Sequence, residues 1–190
     1  MDRLKQLKID GYRKKLSYMI SDTDFLRYFP NIENKIIKYS ELAKYKTIED
    51  LLPNNEDFVI ILIESHRNEG HWTTCCRKND KYIWFDSYGL AVDAELNFIS
   101  NKIKNILGED KRFLSKLLKN HQYTYNKVKY QSEENGINTC GRWVILFIQS
   151  FHLGYDLNSF KRLMNEQQQK RFKIEGDVPF DIICVDFYSF

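Results

Sequence analysis

Asn138-Thr139-Cys140-Gly141-Arg142-Trp143-Val144-Ile145-Leu146-Phe147-Ile148 runs a short polar turn straight into a long apolar segment. Residues 141–153 are too long and too continuously apolar for an ordinary strand, and Gly154 closes them, so the pattern predicts a buried core helix. A cysteine stands at its mouth. The unpaired N–H groups and the dipole of a helix N-terminus favour a thiolate there, and Gly141 allows close approach of substrate or backbone. Taken alone, Cys140 reads as a plain buried cysteine, because free cysteine is among the most buried residue types. A catalytic reading needs a base, a group to orient that base and an oxyanion donor from elsewhere in the chain.

Upstream, Phe58-Val59-Ile60-Ile61-Leu62-Ile63 is continuously apolar and β-branched, which predicts a strand buried on both faces. Two further strand-like runs, His71 to Arg77 and Tyr82 to Ser87, flank Asn79-Asp80 and read as a β-hairpin. With Asn79-Asp80 as a two-residue loop, Asp86 lies opposite Thr73, one same-face step from His71. With the turn centred one residue earlier, Asp86 faces His71 directly. Both registers bring the side chains to one face, within roughly 5–8 Å at Cβ; a three-residue loop would separate them. Imidazole titrates near pH ~6.5 and can take and return a proton. Of the four histidines, only His71 has a carboxylate placed across a hairpin. His66 lies in a polar loop, His121 opens a strand-like run, and His152 suits a helix C-terminus. Asp86 would hold the imidazole tautomer and stabilise the imidazolium; its bland alternative is a carboxylate capping the turn at Ser87-Tyr88-Gly89. Gln131, nine residues before Cys140 in the sequence, offers an amide to a developing oxyanion beside the Cys140 N–H. Its alternative is a polar residue starting a loop. Gln122 competes but lies further upstream.

Elsewhere the periodicity predicts a helix from Ser21-Asp22-Thr23-Asp24 to Pro30 and an amphipathic helix over 33–45. A Thr47-capped turn ends at Pro53. Helices are expected over 93–107 and 110–119, a strand over 122–131, a helix after Asp156 or Asn158, and a last strand over 180–187. The chain of 190 residues suits one domain, 1–190. A net charge of +3 is too small to imply nucleic-acid binding. The basic residues Arg3, Lys5, Lys8, Arg13, Lys14 and Lys15 read as a solvated helix face. No run approaches the ~20 apolar residues of a membrane span, no signal-peptide pattern opens the chain, and no Cys/His spacing matches a zinc site. Cys75, Cys76, Cys140 and Cys184 are expected as free thiols in a reducing, intracellular compartment. Cys75 and Cys76 point to opposite faces of their strand.

Together, Gly70-His71-Trp72, Phe85-Asp86-Ser87-Tyr88-Gly89, Gln131 and Asn138-Thr139-Cys140-Gly141 resemble the cysteine protease superfamily that includes the adenovirus maturation protease and the SUMO-specific proteases. The match covers about residues 55–155, in the order His, Asp, Gln, Cys; the Gln131-to-Cys140 segment is a little longer than the family's. The resemblance implies an α+β fold, a mixed central β-sheet flanked by helices, with the catalytic Cys at the N-terminus of a buried core helix. It implies His71, Asp86 and Cys140 as a triad, Gln131 as oxyanion donor, and no cofactor or metal. Within the superfamily the chain is most similar to the capsid maturation proteases of virophages, polinton-like elements and large DNA viruses. That implies capsid protein precursors as substrates, cut at small-residue, glycine-containing sites by a monomer in the virion and host cell cytoplasm. Trp72 is a candidate wall of a narrow groove, and an activating peptide or DNA is a possible partner. Competing readings are a deconjugating protease for ubiquitin-like modifiers, an acetyltransferase on the same scaffold, and a non-enzymatic module binding capsid or nucleic acid.

Overall fold

The computed structural model describes residues 11–175 and 179–188. Its centre is a five-stranded mixed sheet in the order β1-β2-β3-β4-β5. The strands are β1 (Ile36–Lys38), β2 (Phe58–His66), β3 (Glu69–Lys78), β4 (Lys81–Phe85) and β5 (Gln122–Tyr125). β2, β3 and β4 are antiparallel neighbours, while β1 and β5 lie parallel to β2 and β4. The β3–β4 hairpin pairs Lys78 with Lys81 and Thr74 with Phe85, the register of a two-residue Asn79-Asp80 loop. Asn79 takes the left-handed conformation such a turn requires (φ 56°).

The unbroken apolar run of β2 is explained by a core on each side of the sheet. Phe58, Ile60 and Leu62 pack with Trp72, Cys76 and Phe85 against Trp143, Val144, Phe147 and Phe151. Those last four belong to α6 (Cys140–His152), the predicted central helix, whose described neighbours are α7 (Leu157–Glu175) and α8 (Phe180–Phe187). Val59, Ile61, Ile63 and Cys75 face the opposite way, onto Tyr39, Leu42, Ile48, Leu52, Leu96 and Leu114. Cys75 and Cys76 thus enter different cores, as strand alternation requires. All four cysteines are free thiols.

Local signals account for several helix starts. Residues 11–17 form helix α1. α2 (Asp22–Tyr28) begins where the Ser21 N–H donates to the Asp24 carboxylate at 2.9 Å. At α3 (Ile48–Leu51), Thr47 Oγ1 accepts from the Asp50 N–H and the Asp50 carboxylate accepts from the Thr47 N–H. Asp156 accepts from the Ser159 N–H at 2.7 Å and so caps α7.

Four expectations are corrected. Residues 33–45 are not one amphipathic helix: two 3-10 turns, Glu33–Lys35 and Tyr39–Lys44, bracket edge strand β1. Ile36 and Ile37 are β-branched and lie beside β2, so sheet pairing outweighs a helical periodicity of modest length. The helix expected over 93–107 is divided into a 3-10 turn, Glu95–Phe98, and α4 (Asn101–Leu107), because Ser100 caps the second piece through the Ile103 N–H. Next comes α5 (Phe113–Leu117), within the predicted 110–119. The strand over 122–131 ends at Tyr125, where Asn126 turns its side chain back onto the main chain of Asp86. The run over 180–187 is helix α8 rather than a strand. A short apolar run of this kind is ambiguous in period, and here Asp181, Ile183, Cys184 and Val185 are all buried on the α6 side of the molecule. The basic residues Arg3, Lys5 and Lys8 lie outside the described residues.

Candidate functional site

Cys140 is the first residue of α6 and is 9% exposed. The helix is buried from Cys140 through Ile148, so the thiol is carried on a rigid element at its positive end. The preceding residue, Thr139, does not cap the helix with its own side chain. Its hydroxyl donates instead to Asp181 of α8, which also accepts from the Trp143 indole N–H at 3.3 Å and from the Ser132 N–H at 2.8 Å. Asp181 therefore anchors both ends of the segment that delivers Cys140. Burial holds its carboxyl above the ordinary range, against the pull of those three donors. On the other flank, a Cβ at Gly141 would stand 2.8 Å from Ile20 Cβ, so only glycine lets residues 18–20 lie this close over the helix mouth. Arg142 pins that crossing by donating to the Tyr18 carbonyl at 3.1 Å.

His71 sits on β3 opposite Ile63, and Gly70 opposite Glu64. A side chain at position 70 would collide with the main chain of β2, at 1.9 Å from the Ile63 carbonyl oxygen. The Gly70-His71 pair thus lets the strand seat tightly where the imidazole is presented. His71 Nε2 bonds Asp86 Oδ1 at 3.0 Å, and both residues are buried. Cys140 acts electrostatically on the same imidazole. With Nε2 engaged by Asp86, Nδ1 is the ring nitrogen available for proton exchange. Burial opposes a charged imidazole, yet Asp86 and Cys140 together hold the His71 pKa well above its ordinary value. The arrangement can carry the proton of Cys140 on His71.

Asp86 follows β4 and starts the turn closed by the Gly89 N–H on its carbonyl. Its Oδ1 accepts from both the His71 ring and the Tyr88 N–H at 2.7 Å. Asp86 Oδ2 is buried with no hydrogen-bond partner among the described residues. The Asn126 side chain grips the Asp86 main chain from both sides, accepting from its N–H at 2.9 Å and donating to its carbonyl at 2.6 Å. Sequence reasoning assigns Asn126 no role; a single Asn at a strand end carries no spacing signal. A ring nitrogen of His71 and carboxylate oxygens of Asp86 and Glu95 lie within 4.8 Å of one another, the grouping among the described residues most like a metal-ligand set.

Gln131 is buried beside this group. Its Oε1 accepts from Ser87 Oγ at 2.8 Å, and its Nε2 donates to the Tyr88 hydroxyl and the Ile137 carbonyl, each at 3.2 Å. Both amide N–H groups are therefore engaged, and donation to a substrate oxygen requires exchanging the Tyr88 bond. The Tyr88 ring stacks on the His71 imidazole at 4.6 Å. The other histidines lie elsewhere: His66 is exposed at the end of β2, His121 is beside Glu49, and His152 is against the Glu56 carbonyl. Gln122 is exposed on β5.

A cleft of about 490 Å³ opens on Cys140 and is lined by Ile20, Lys38, Leu62, Gly70, Trp72 and Asn138, among others. Trp72 serves as wall and core at once. It borders the cleft, donates its indole N–H to the Ile20 carbonyl at 2.9 Å, and packs edge-on against Phe25. A larger cavity of about 1010 Å³, along 78–83 and 120–124, contains none of His71, Asp86 and Cys140. No helix among the described residues is long and apolar enough to cross a membrane.

No protein-family model matches the chain. A curated relative does: "Uncharacterized protein V9" of the Sputnik virophage is 34% identical over 166 residues, spanning 86% of this chain and 90% of that protein. Identity at that level over nearly the whole of both chains means that this protein belongs to the family of the Sputnik virophage protein V9.

Proposed function

We propose that this protein is a cysteine endopeptidase, with Cys140 as nucleophile, His71 as general base and acid, and Asp86 orienting His71. The observation that carries the reading is one buried imidazole bonded to Asp86 at 3.0 Å and coupled electrostatically to a cysteine at the first position of a buried helix. His71 takes the Cys140 proton, and the thiolate attacks the scissile carbonyl carbon. The oxyanion that forms is met by the Cys140 N–H at the helix mouth and by Gln131 Nε2 once it leaves Tyr88. His71 returns the proton to the leaving amine as the C–N bond breaks. Water, giving a proton to His71, then cleaves the thioester and releases the new carboxyl terminus. The raised pKa of His71 favours its imidazolium form.

The virophage relative and the resemblance of the His71, Asp86, Gln131 and Cys140 motifs to capsid maturation proteases support a narrower role. In that role the substrate is a capsid protein precursor, cut at a small-residue, glycine-containing site during assembly in the host cytoplasm. The deciding experiment co-expresses the protein with the capsid proteins of its own virus and maps new termini by mass spectrometry. Wild type should generate defined cuts and Cys140→Ala none. Cuts that survive Cys140→Ala would refute the mechanism, and intact capsid proteins beside an enzyme that cleaves other peptides would refute the substrate.

A further inference from the structure

The triad group has a neighbour that the mechanism above does not use. Glu95 opens the 3-10 turn Glu95–Phe98, and a carboxylate oxygen of Glu95 lies within 4.8 Å of both a His71 ring nitrogen and an Asp86 carboxylate oxygen. This placement is built into the fold. Asp93, at φ 62°, accepts from the Tyr39 hydroxyl at 2.8 Å and from the Ser115 N–H at 2.9 Å. The turn is closed by Ala94 N–H on Ala91 O and Asn97 N–H on Ala94 O, and Leu96 is buried beneath it. Glu95 is thereby held half-buried over the face of the sheet that carries His71 and Asp86.

Two carboxylates this close repel each other unless a positive charge lies between them. The imidazolium of His71 is that charge, and Asp86 uses only one oxygen, Oδ1, on it. We propose that Glu95 is a positioning residue, a second counter-charge that shares with Asp86 the task of holding His71 as imidazolium beside Cys140. The inference rests on the protease reading for its purpose, but its physical content does not need a substrate. The titratable groups that face Glu95 are His71 on β3, Asp86 and Tyr88 after β4, and Glu133 in the loop before α6. Burial raises the Glu95 carboxyl above its ordinary range, Asp86 and Glu133 add to this, and His71 opposes it.

The test uses the full chain and reads two quantities against pH: the rate at which iodoacetamide alkylates Cys140, and the His71 imidazole titration by NMR. In Glu95→Gln the His71 titration and the alkaline limb of alkylation should both move down by about one pH unit, the size expected for removing a charge at this range in a partly screened site. Glu95→Asp, which keeps the charge, should move them less. A wild-type His71 titration in Glu95→Gln overturns the proposal, as does an equal shift in both variants, which would mark a packing effect. A further measurement needs no variant at position 95. The Glu95 carboxyl carbon in the wild type should show an inflection at the His71 pKa, because coupled sites share their steps; its absence also overturns the proposal. A protein that cleaves neither capsid proteins nor other peptides, with these shifts present, would refute the protease reading and leave the coupling standing.

Discussion

At the residue scale, the chemistry proposed for the site depends on one hydrogen-bond geometry. Asp86 Oδ1 accepts at once from the His71 ring and from the Tyr88 N–H, so the carboxylate cannot rotate away without losing both. Asp86→Asn keeps the size of the side chain and removes its charge. It should lower turnover by about 10²–10⁴-fold while leaving the fold intact, as measured by peptide cleavage alongside circular dichroism. His71→Ala should slow alkylation of Cys140 at neutral pH by at least about tenfold, since the thiol then loses its base and its counter-charge; an unchanged rate would count against the proton resting on His71. The pairing of His71 with Asp86 is legible in the amino-acid sequence because hairpin alternation places two side chains on one face by arithmetic alone, and Cys140 is legible because it opens the long apolar run. The partners that position them are not. Asn126, Tyr88 and Glu95 reach the site from a strand end and two turns, and each is an ordinary residue in its local sequence.

At the element scale, the delivery of Cys140 is shared between two helices. Asp181 of α8 accepts from Ser132 N–H, Thr139 Oγ1 and Trp143 Nε1, spanning the loop before α6 and its first turn. Asp181→Ala would leave two buried donors and one part-buried donor unmet and should cost about 3 kcal/mol in urea unfolding. Asp181→Asn keeps an acceptor and should recover part of that loss. Cleavage should fall more than stability alone accounts for, because the helix mouth loses its anchor. Local pattern favours a strand for the segment that carries Asp181, and here it fails. Ile182, Ile183 and Val185 suit a strand locally, but the edge strands of the sheet are β1 and β5, and α8 packs on helices α6 and α7 instead.

At the scale of the whole molecule, a buried acid lies apart from the proposed triad in sequence. Glu109 is 0% exposed, accepts from the Glu64 N–H at 3.1 Å through Oε1, and has no hydrogen-bond partner for Oε2 among the described residues. Burial pushes its pKa from 4.5 up to about 7. A folded-state value above the unfolded one means that protonation favours folding. The contribution is fully present below about 4.5 and is lost as pH rises through about 7. Glu109→Gln should therefore be more stable than wild type at pH ~8, by about 2–3 kcal/mol, and equal to it near pH ~5. Thermal melts at the two values check both halves of that expectation.

The sequence by itself determined the parts that depend on short-range geometry. Alternation placed His71 with Asp86 and sent Cys75 and Cys76 to opposite cores. The length and apolarity of 141–153 required a buried helix, and capping residues set the starts of α2, α3 and α7. These features follow from periods of two and 3.6 residues and from single hydrogen bonds, which act within a few residues of the chain. Only the tertiary structure decided which elements meet. The edge position of β1, the helical state of 180–187, the Asp181 anchor, the Ile20 crossing over Gly141 and the approach of Glu95 to the triad all join residues distant in sequence. Their energies come from burial and from partners that no local pattern names.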